Sequence, residues 1–204
     1  RKLKKDNPGT PVVTYVNSSA DVKAETDICC TSANAVKIIE SLNVDEVIFL
    51  PDEYLAKYVA SKTKVKIISW KGKCEVHEQF TDKEIIELRK KYPNLKVVSH
   101  PECPPEVIKV SDYTGSTGSM INYVKNTNAK DIFLVTECSM SDNIQIENPN
   151  INFVKPCNLC PHMKKITLQG ILKSLKNENN YVEIDSKTIQ RARGAIERMI
   201  AVGR

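Results

Sequence analysis

Apolar residues in this chain fall into two patterns. Short, mostly apolar runs at 12–16, 47–50, 97–99 and 132–135 read as buried strands. Between them, apolar residues recur at helical spacing: Val36, Ile39 and Leu42; Tyr54, Leu55, Tyr58 and Val59; Ile85, Ile86 and Leu88; Met120, Tyr123 and Val124. Thr81, with Glu84 three positions on, reads as a capping box that opens the third of these helices. Further strands are expected at 66–69 and 152–155, and a short helix at 141–146. Strands that alternate with helices predict parallel α/β units. After Cys160 the pattern changes. A helix over 161–176, a strand over 181–184 and a final helix capped by Asp185 are expected, the last carrying Ile189, Ala192, Ile196, Met199 and Ile200. Residues 1–5 read as the last turn of a helix, stopped by Asn7, Pro8 and Gly9, so an upstream segment is expected.

The chain also matches itself with a shift of about 85 positions. Pro11-Val-Val-Thr-Tyr-Val-Asn17 falls on Lys96-Val-Val-Ser-His-Pro-Glu102, and Thr31-Ser-Ala-Asn34 on Ser116-Thr-Gly-Ser119. Glu46-Val-Ile-Phe-Leu50 falls near Lys130-Asp-Ile-Phe-Leu134, and Cys74 near Cys160. Any α/β chain repeats strand–helix spacing. Matched cysteines and matched polar strand ends go beyond that, and they predict a duplicated unit. The expected organisation is one unit over 1–76, a second over 77–160, and a helical tail over 161–204 that completes a further, preceding unit. The expected fold is repeated three-layer α/β with short parallel sheets.

Composition narrows the function. Thirty basic residues against twenty-five acidic ones give a diffuse excess of +5, and aromatics are 6%. No basic stripe with interleaved aromatics appears, so no nucleic-acid partner is expected. The apolar runs are too short to span a bilayer, so no membrane partner is expected either. Seven cysteines make an odd number, which argues against a closed disulfide framework and for a reducing compartment.

In parallel α/β units, ligands bind beyond the carboxyl ends of the strands. The repeat superimposes Tyr15 on His100 and Asn17 on Glu102 at two such ends. Glu102, His100 and Tyr15 are therefore the candidate proton-moving groups. Polar residues also end strands and open loops for no catalytic reason, and the matched pair is what favours a site. Ser32 and the Ser116-Thr117 pair are expected at helix starts, where free N–H groups and the dipole favour anions; ordinary caps look the same. Cys29, Cys30, Cys103 and Cys138 lack paired spacing and read as small buried residues. Cys74 and Cys160 end equivalent strands, and Cys157 makes a C-x-x-C pair with Cys160 that a disulfide could close. With a third copy, three equivalent thiolates would meet on one axis, a donor set that holds a four-iron cluster with one iron open.

Tyr15-Val-Asn-Ser18, Cys30-Thr-Ser-Ala-Asn34, His100-Pro-Glu-Cys-Pro104, Gly115-Ser-Thr-Gly118 and Cys160-Pro-His-Met-Lys-Lys165 together resemble the quinolinate synthase family along the whole chain. The resemblance implies three similar α/β domains about a pseudo-threefold axis and a 4Fe–4S cluster held by one Cys from each. It implies condensation of iminoaspartate (iminosuccinate) with dihydroxyacetone phosphate to quinolinate, phosphate and water in NAD biosynthesis, in the cytoplasm. It also implies an L-aspartate oxidase as the supplier of iminoaspartate. Carried over by residue, Cys74 and Cys160 are cluster ligands. Tyr15, Val16, Asn17, Ser32, His77, His100, Pro101, Glu102, Ser116 and Thr117 hold substrate. Cys157 is not chosen as a ligand. The family's first-domain Cys is not visible here; the repeat places it roughly a dozen residues before Arg1. Two rivals remain at this level. A non-catalytic module that binds small anions would hold no iron. A different 4Fe–4S hydro-lyase would hold iron and make no quinolinate.

Overall fold

The computed structural model describes residues 1–154, 158–178 and 181–203. The chain runs α1 (Lys2–Asp6), β1 (Val12–Tyr15), α2 (Ala20–Ala24), β2 (Ile28–Cys30), α3 (Ala35–Ser41), β3 (Glu46–Leu50), α4 (Glu53–Ala60) and β4 (Lys66–Ser69). It continues through α5 (Asp82–Lys91), β5 (Lys96–Ser99), α6 (Pro105–Lys109), β6 (Tyr113–Thr114), α7 (Thr117–Asn126), β7 (Asp131–Val135), α8 (Ser139–Glu147) and β8 (Asn152–Phe153). The tail holds a 3-10 turn at Met163–Lys165, then α9 (Leu168–Asn177) and α10 (Ser186–Val202).

Two four-stranded sheets result, ordered β2-β1-β3-β4 and β6-β5-β7-β8. Every pairing is parallel. The strand order is the same in both, and so are the details. Asp27 accepts from Val12 N at 2.8 Å, and Asp112 accepts from Val97 N at 2.9 Å. The equivalent Thr14 and Ser99 each bond a threonine at the edge strand, at 2.7 and 2.8 Å, though Thr26 precedes β2 and Thr114 lies within β6. The sequence repeat is thus a structural repeat.

Alternation along the strands sorts side chains to two faces. In the second sheet Val97, Phe133 and Val135 pack with Ile85, Leu95 and Val107, while Val98, Ile132 and Leu134 pack with Met120 and Val124 on the other face. That is the expected three-layer arrangement. In the first sheet Val13, Val47 and Phe49 pack with Ile38 and Ile39 of α3 and with Leu55 and Val59 of α4. The capping box at Thr81 and Glu84 is present. No described helix is long and apolar enough to cross a membrane.

Four expectations need correction. The loops after β1 and β5 each contain a short helix and an edge strand, because three- and two-residue strands carry no readable alternation. Ser32 does not open a helix: α3 starts at Ala35, and Asn34 spends its side-chain oxygen on Thr31 N and Oγ1 within the preceding turn. The helix expected over 161–176 is broken at Thr167, whose hydroxyl caps α9 by accepting from Gly170 N. Residues 181–184 form no strand: Tyr181 is 78% exposed, and among the described residues no strand pairs with them.

Candidate functional site

In both sheets the crossovers change direction at the central strands, β1 beside β3 and β5 beside β7. The crevice beyond such strand ends is where open α/β sheets hold ligands. Tyr15 ends β1, and His100 and Glu102 follow β5. His77 comes from the 3-10 turn His77–Gln79 before α5.

Side chains from both units meet there. The His77 and His100 rings stack with centroids 4.8 Å apart and planes 16° from parallel. Glu102 Oε2 lies 3.4 Å from His77 Nδ1 and 3.2 Å from His100 Nδ1. His100 Nε2 is 3.3 Å from Ser32 Oγ of the first unit. Ser32 also hydrogen-bonds the Tyr15 phenol. His77 Nε2 is 3.0 Å from Thr136 Oγ1, just past β7.

Two tautomers of His100 fit these distances. With Nδ1 bare, it accepts from Glu102 N at 3.4 Å and Nε2–H donates to Ser32. With Nδ1 protonated, it donates to the Glu102 carboxylate. Burial, aided by His100 and opposed by Glu102, pushes His77 down to about 4, so its ring is neutral. His77 is 7% exposed, and its Nδ1 has no hydrogen-bond partner, the Glu102 oxygen lying outside hydrogen-bond geometry. Burial, and then the Glu102 charge, push Tyr15 up to about 12 against its bond to Ser32, so the phenol keeps its proton.

Cys74 Sγ, a His77 nitrogen and a Glu102 oxygen lie within 4.8 Å of one another, a group that can hold a metal ion. Cys74 and Cys160 are free thiols that pack against the same core cluster as Phe80 and Phe133. Burial raises the Cys74 thiol, opposed by the His77 N–H; a bound cation would reverse that balance. Two half-buried free thiols fit an iron–sulfur donor set. Since Cys160 is free, it forms no disulfide with Cys157, which lies outside the described residues; Cys138, expected as a small unpaired residue, is disulfide-bonded instead.

Tyr15, Ser32, Cys74, His77, His100 and Glu102 thus come together. Val16 and Pro101 flank them along the chain, and Pro101 is buried. Asn17 is exposed and lines a separate cavity of about 590 Å³ with Leu3, Val12, Ile48 and Trp70. Ser116 caps α7 by accepting from Ser119 N, and Thr117 is exposed; among the described residues neither bonds the histidines. Sequence reasoning missed Thr136, Asp52 and Glu137. Extending the repeat comparison past β3 and β7 would have aligned the last two.

A family profile described as "NadA: Quinolinate synthetase A protein" matches residues 1–201. The chain belongs to this family. It is 54% identical over 202 residues to Quinolinate synthase 1 of Mesorhizobium japonicum, covering 99% of this chain and 62% of that protein. It is 56% identical over 200 residues to a Quinolinate synthase of Sinorhizobium fredii, covering 98% of this chain and 56% of the relative. A Quinolinate synthase of Xylella fastidiosa is 52% identical, with 98% and 59% covered. The chain therefore spans 56 to 62% of the length of these curated relatives.

Proposed function

We propose that the protein carrying this chain is a quinolinate synthase, condensing iminoaspartate with dihydroxyacetone phosphate to quinolinate, phosphate and water. The observation that carries this reading is the cluster of His77, His100, Glu102, Tyr15 and Ser32 drawn from two repeated units, with one buried nitrogen left open. A buried donor or acceptor without a partner costs about 1–3 kcal/mol. His77 Nδ1 is well placed to recover that cost against a polar atom of the substrate.

Each residue has a role its environment supports. Glu102, with His100, takes and returns protons as carbon acids are deprotonated and hydroxyls leave, the two being 3.2 Å apart at the strand end. Tyr15 donates its hydroxyl hydrogen to a developing oxyanion. Ser32 fixes the orientation of both Tyr15 and His100. His77, neutral, orients a substrate oxygen or nitrogen and is itself held by Thr136. Asn17, Ser116 and Thr117, with the backbone of Val16 and Pro101, are added to the substrate site by the family resemblance and not by the cluster geometry.

Cys74 and Cys160 would hold a 4Fe–4S cluster whose third Cys lies in a preceding domain. When bound, such a cluster supplies a Lewis-acidic iron for a substrate oxygen. The division into units at 1–76, 77–160 and 161–204 goes with this reading, although α10 of the tail docks on α2 and β2 of the first of these units. One side of α9, with Leu168, Ile171, Leu172 and Leu175, is exposed and apolar, as expected of a tail that completes another unit. Cytoplasmic location, and supply of iminoaspartate by an L-aspartate oxidase, follow from the same proposal.

The test is iron and acid-labile sulfide on anaerobically purified protein from the complete reading frame, followed by a quinolinate assay. About four of each per chain and quinolinate formation are expected. One metal ion without sulfide would favour a single-ion site on Cys74, His77 and Glu102. No metal after reconstitution would leave an anion-binding module, and a cluster without quinolinate another hydro-lyase.

A further inference from the structure

Two buried carboxylates stand outside the cluster just described. Asp52 follows β3 and is 3% exposed; Glu137 follows β7 and is 8% exposed. They occupy equivalent places in the two units. No Lys or Arg pairs with Asp52 among the described residues. A buried carboxylate is costly unless its oxygens are bonded.

Both oxygens of Asp52 are used. Oδ1 accepts from Leu55 N at 2.6 Å, and Oδ2 accepts from Cys74 N at 2.9 Å. Glu137 Oε2 accepts from Ser139 N at 2.9 Å. Its Oε1 accepts from Ser139 Oγ at 3.2 Å and from Cys160 N at 3.5 Å, with Lys164 Nζ 3.9 Å away.

Capping does not explain the repetition. Asp52 is the N-cap of α4, yet one oxygen suffices for a cap, and Ser, Thr or Asn supplies it. Glu137 is not an N-cap: Cys138 holds that place in α8. What the two carboxylates share is the bond to the main-chain N–H of the cysteine in the same unit. The Cys74 loop is pinned a second time, because Gly72 pairs with Asp52 as a parallel bridge and Glu53 N donates to Gly72 O at 2.7 Å. A Cβ at Gly72 would lie 2.5 Å from Pro51 O, so the loop can approach only with glycine there.

We propose that Asp52 and Glu137 are a repeated pair of positioning residues, each anchoring the backbone of its unit's ligand cysteine and so aiming both thiols at one centre. The ligand role of Cys74 and Cys160 rests on the function proposed above; the anchoring itself does not. Residues that orient metal ligands affect affinity by about 10–100-fold when removed.

Asp52→Asn and Glu137→Gln test this. Each keeps its size and one acceptor oxygen but can turn an amide N–H₂ toward the partner N–H. Amide hydrogen exchange is read at Cys74 and Cys160 in metal-free protein. Iron loss to a chelator and the electron paramagnetic resonance of the reduced centre are read in reconstituted protein. Asp52→Asn is expected to speed exchange at Cys74 and iron loss by about tenfold or more, and to alter the resonance. Glu137→Gln acts in the same direction at Cys160 by only about threefold, its bond being longer. Thr81→Ala, which uncaps α5 elsewhere, serves as the stability control and leaves all three readouts unchanged. If Asp52→Asn does not fold, Asp52→Ser keeps the cap and removes the reach to Cys74, with the same expected outcome. Unchanged exchange at Cys74, or an equal effect from Thr81→Ala, overturns the proposal. Faster exchange in a protein that never holds iron supports the anchoring and sinks the cluster reading.

Discussion

At the scale of single residues, the centre of the molecule is a carboxylate between two stacked imidazoles. Glu102 Oε2 lies within 3.4 Å of a nitrogen on each ring, closer to His100 at 3.2 Å than to the neutral His77. Glu102→Gln keeps the shape and removes the base. In complete, cluster-loaded protein it is expected to lower kcat by about 10²–10⁴-fold with iron content unchanged. Unaltered turnover would remove Glu102 from the mechanism. Glu102 and His100 could be chosen from the sequence because they follow one strand, two residues apart. The stacking of His77 on His100 could not, since it depends on where the turn before α5 lies relative to the end of β5.

At the scale of elements, the two units use the same fastening. An aspartate at the start of each edge strand accepts from the first or second residue of the central strand: Asp27 from Val12 N, and Asp112 from Val97 N. For Asp112, burial alone would raise the pKa. The Val97 N–H bond, the Lys96 bond and the Arg89 and Lys96 charges together outweigh it, so the carboxyl sits below its usual value. The sign follows directly. With its folded-state pKa below the unfolded value, the unfolded chain takes up the proton first as pH falls. The stabilisation is therefore complete above about pH 4 and is lost as pH drops through the folded pKa. Asp112→Asn should lower Tm at pH 7 and flatten its decline below about pH 4; a parallel decline in both proteins would count against it.

At the scale of the whole molecule, the two ends of the described chain meet. Glu25, following α2, accepts from Arg1 at 2.9 Å and from Arg191 of α10 at 3.3 Å. Arg198 of α10 donates to Asp27 O. Ala192 and Ala195 form the buried side of α10 against α2 and β2, and Met199 and Val202 reach the core of the first unit. The exposed ion pairs contribute little; close packing of small residues sets the docking. Ala195 is fully buried, so Ala195→Leu overpacks the contact and should cost about 1–3 kcal/mol in denaturant unfolding. No change in the midpoint would mean that α10 is only loosely docked.

The sequence by itself determined the elements whose signals are local. Apolar runs at β1, β3, β5 and β7, the Thr81–Glu84 box and the helical spacing of α4, α5 and α7 all lie within one or two turns of chain. The repeat also came from sequence, since matched strand ends survive divergence of the residues between them. Tertiary structure decided the rest. The edge strands β2 and β6 exist only because a central strand offers them a ladder, and residues 181–184 stay unpaired for want of one. Thr167 breaks the expected tail helix by capping the next. Asp52 and Glu137 look like ordinary residues at helix starts until the chain, about twenty positions later, brings a cysteine amide to each. A hydrogen bond across that separation leaves no periodic trace in the sequence, and only the folded backbone assigns its partner.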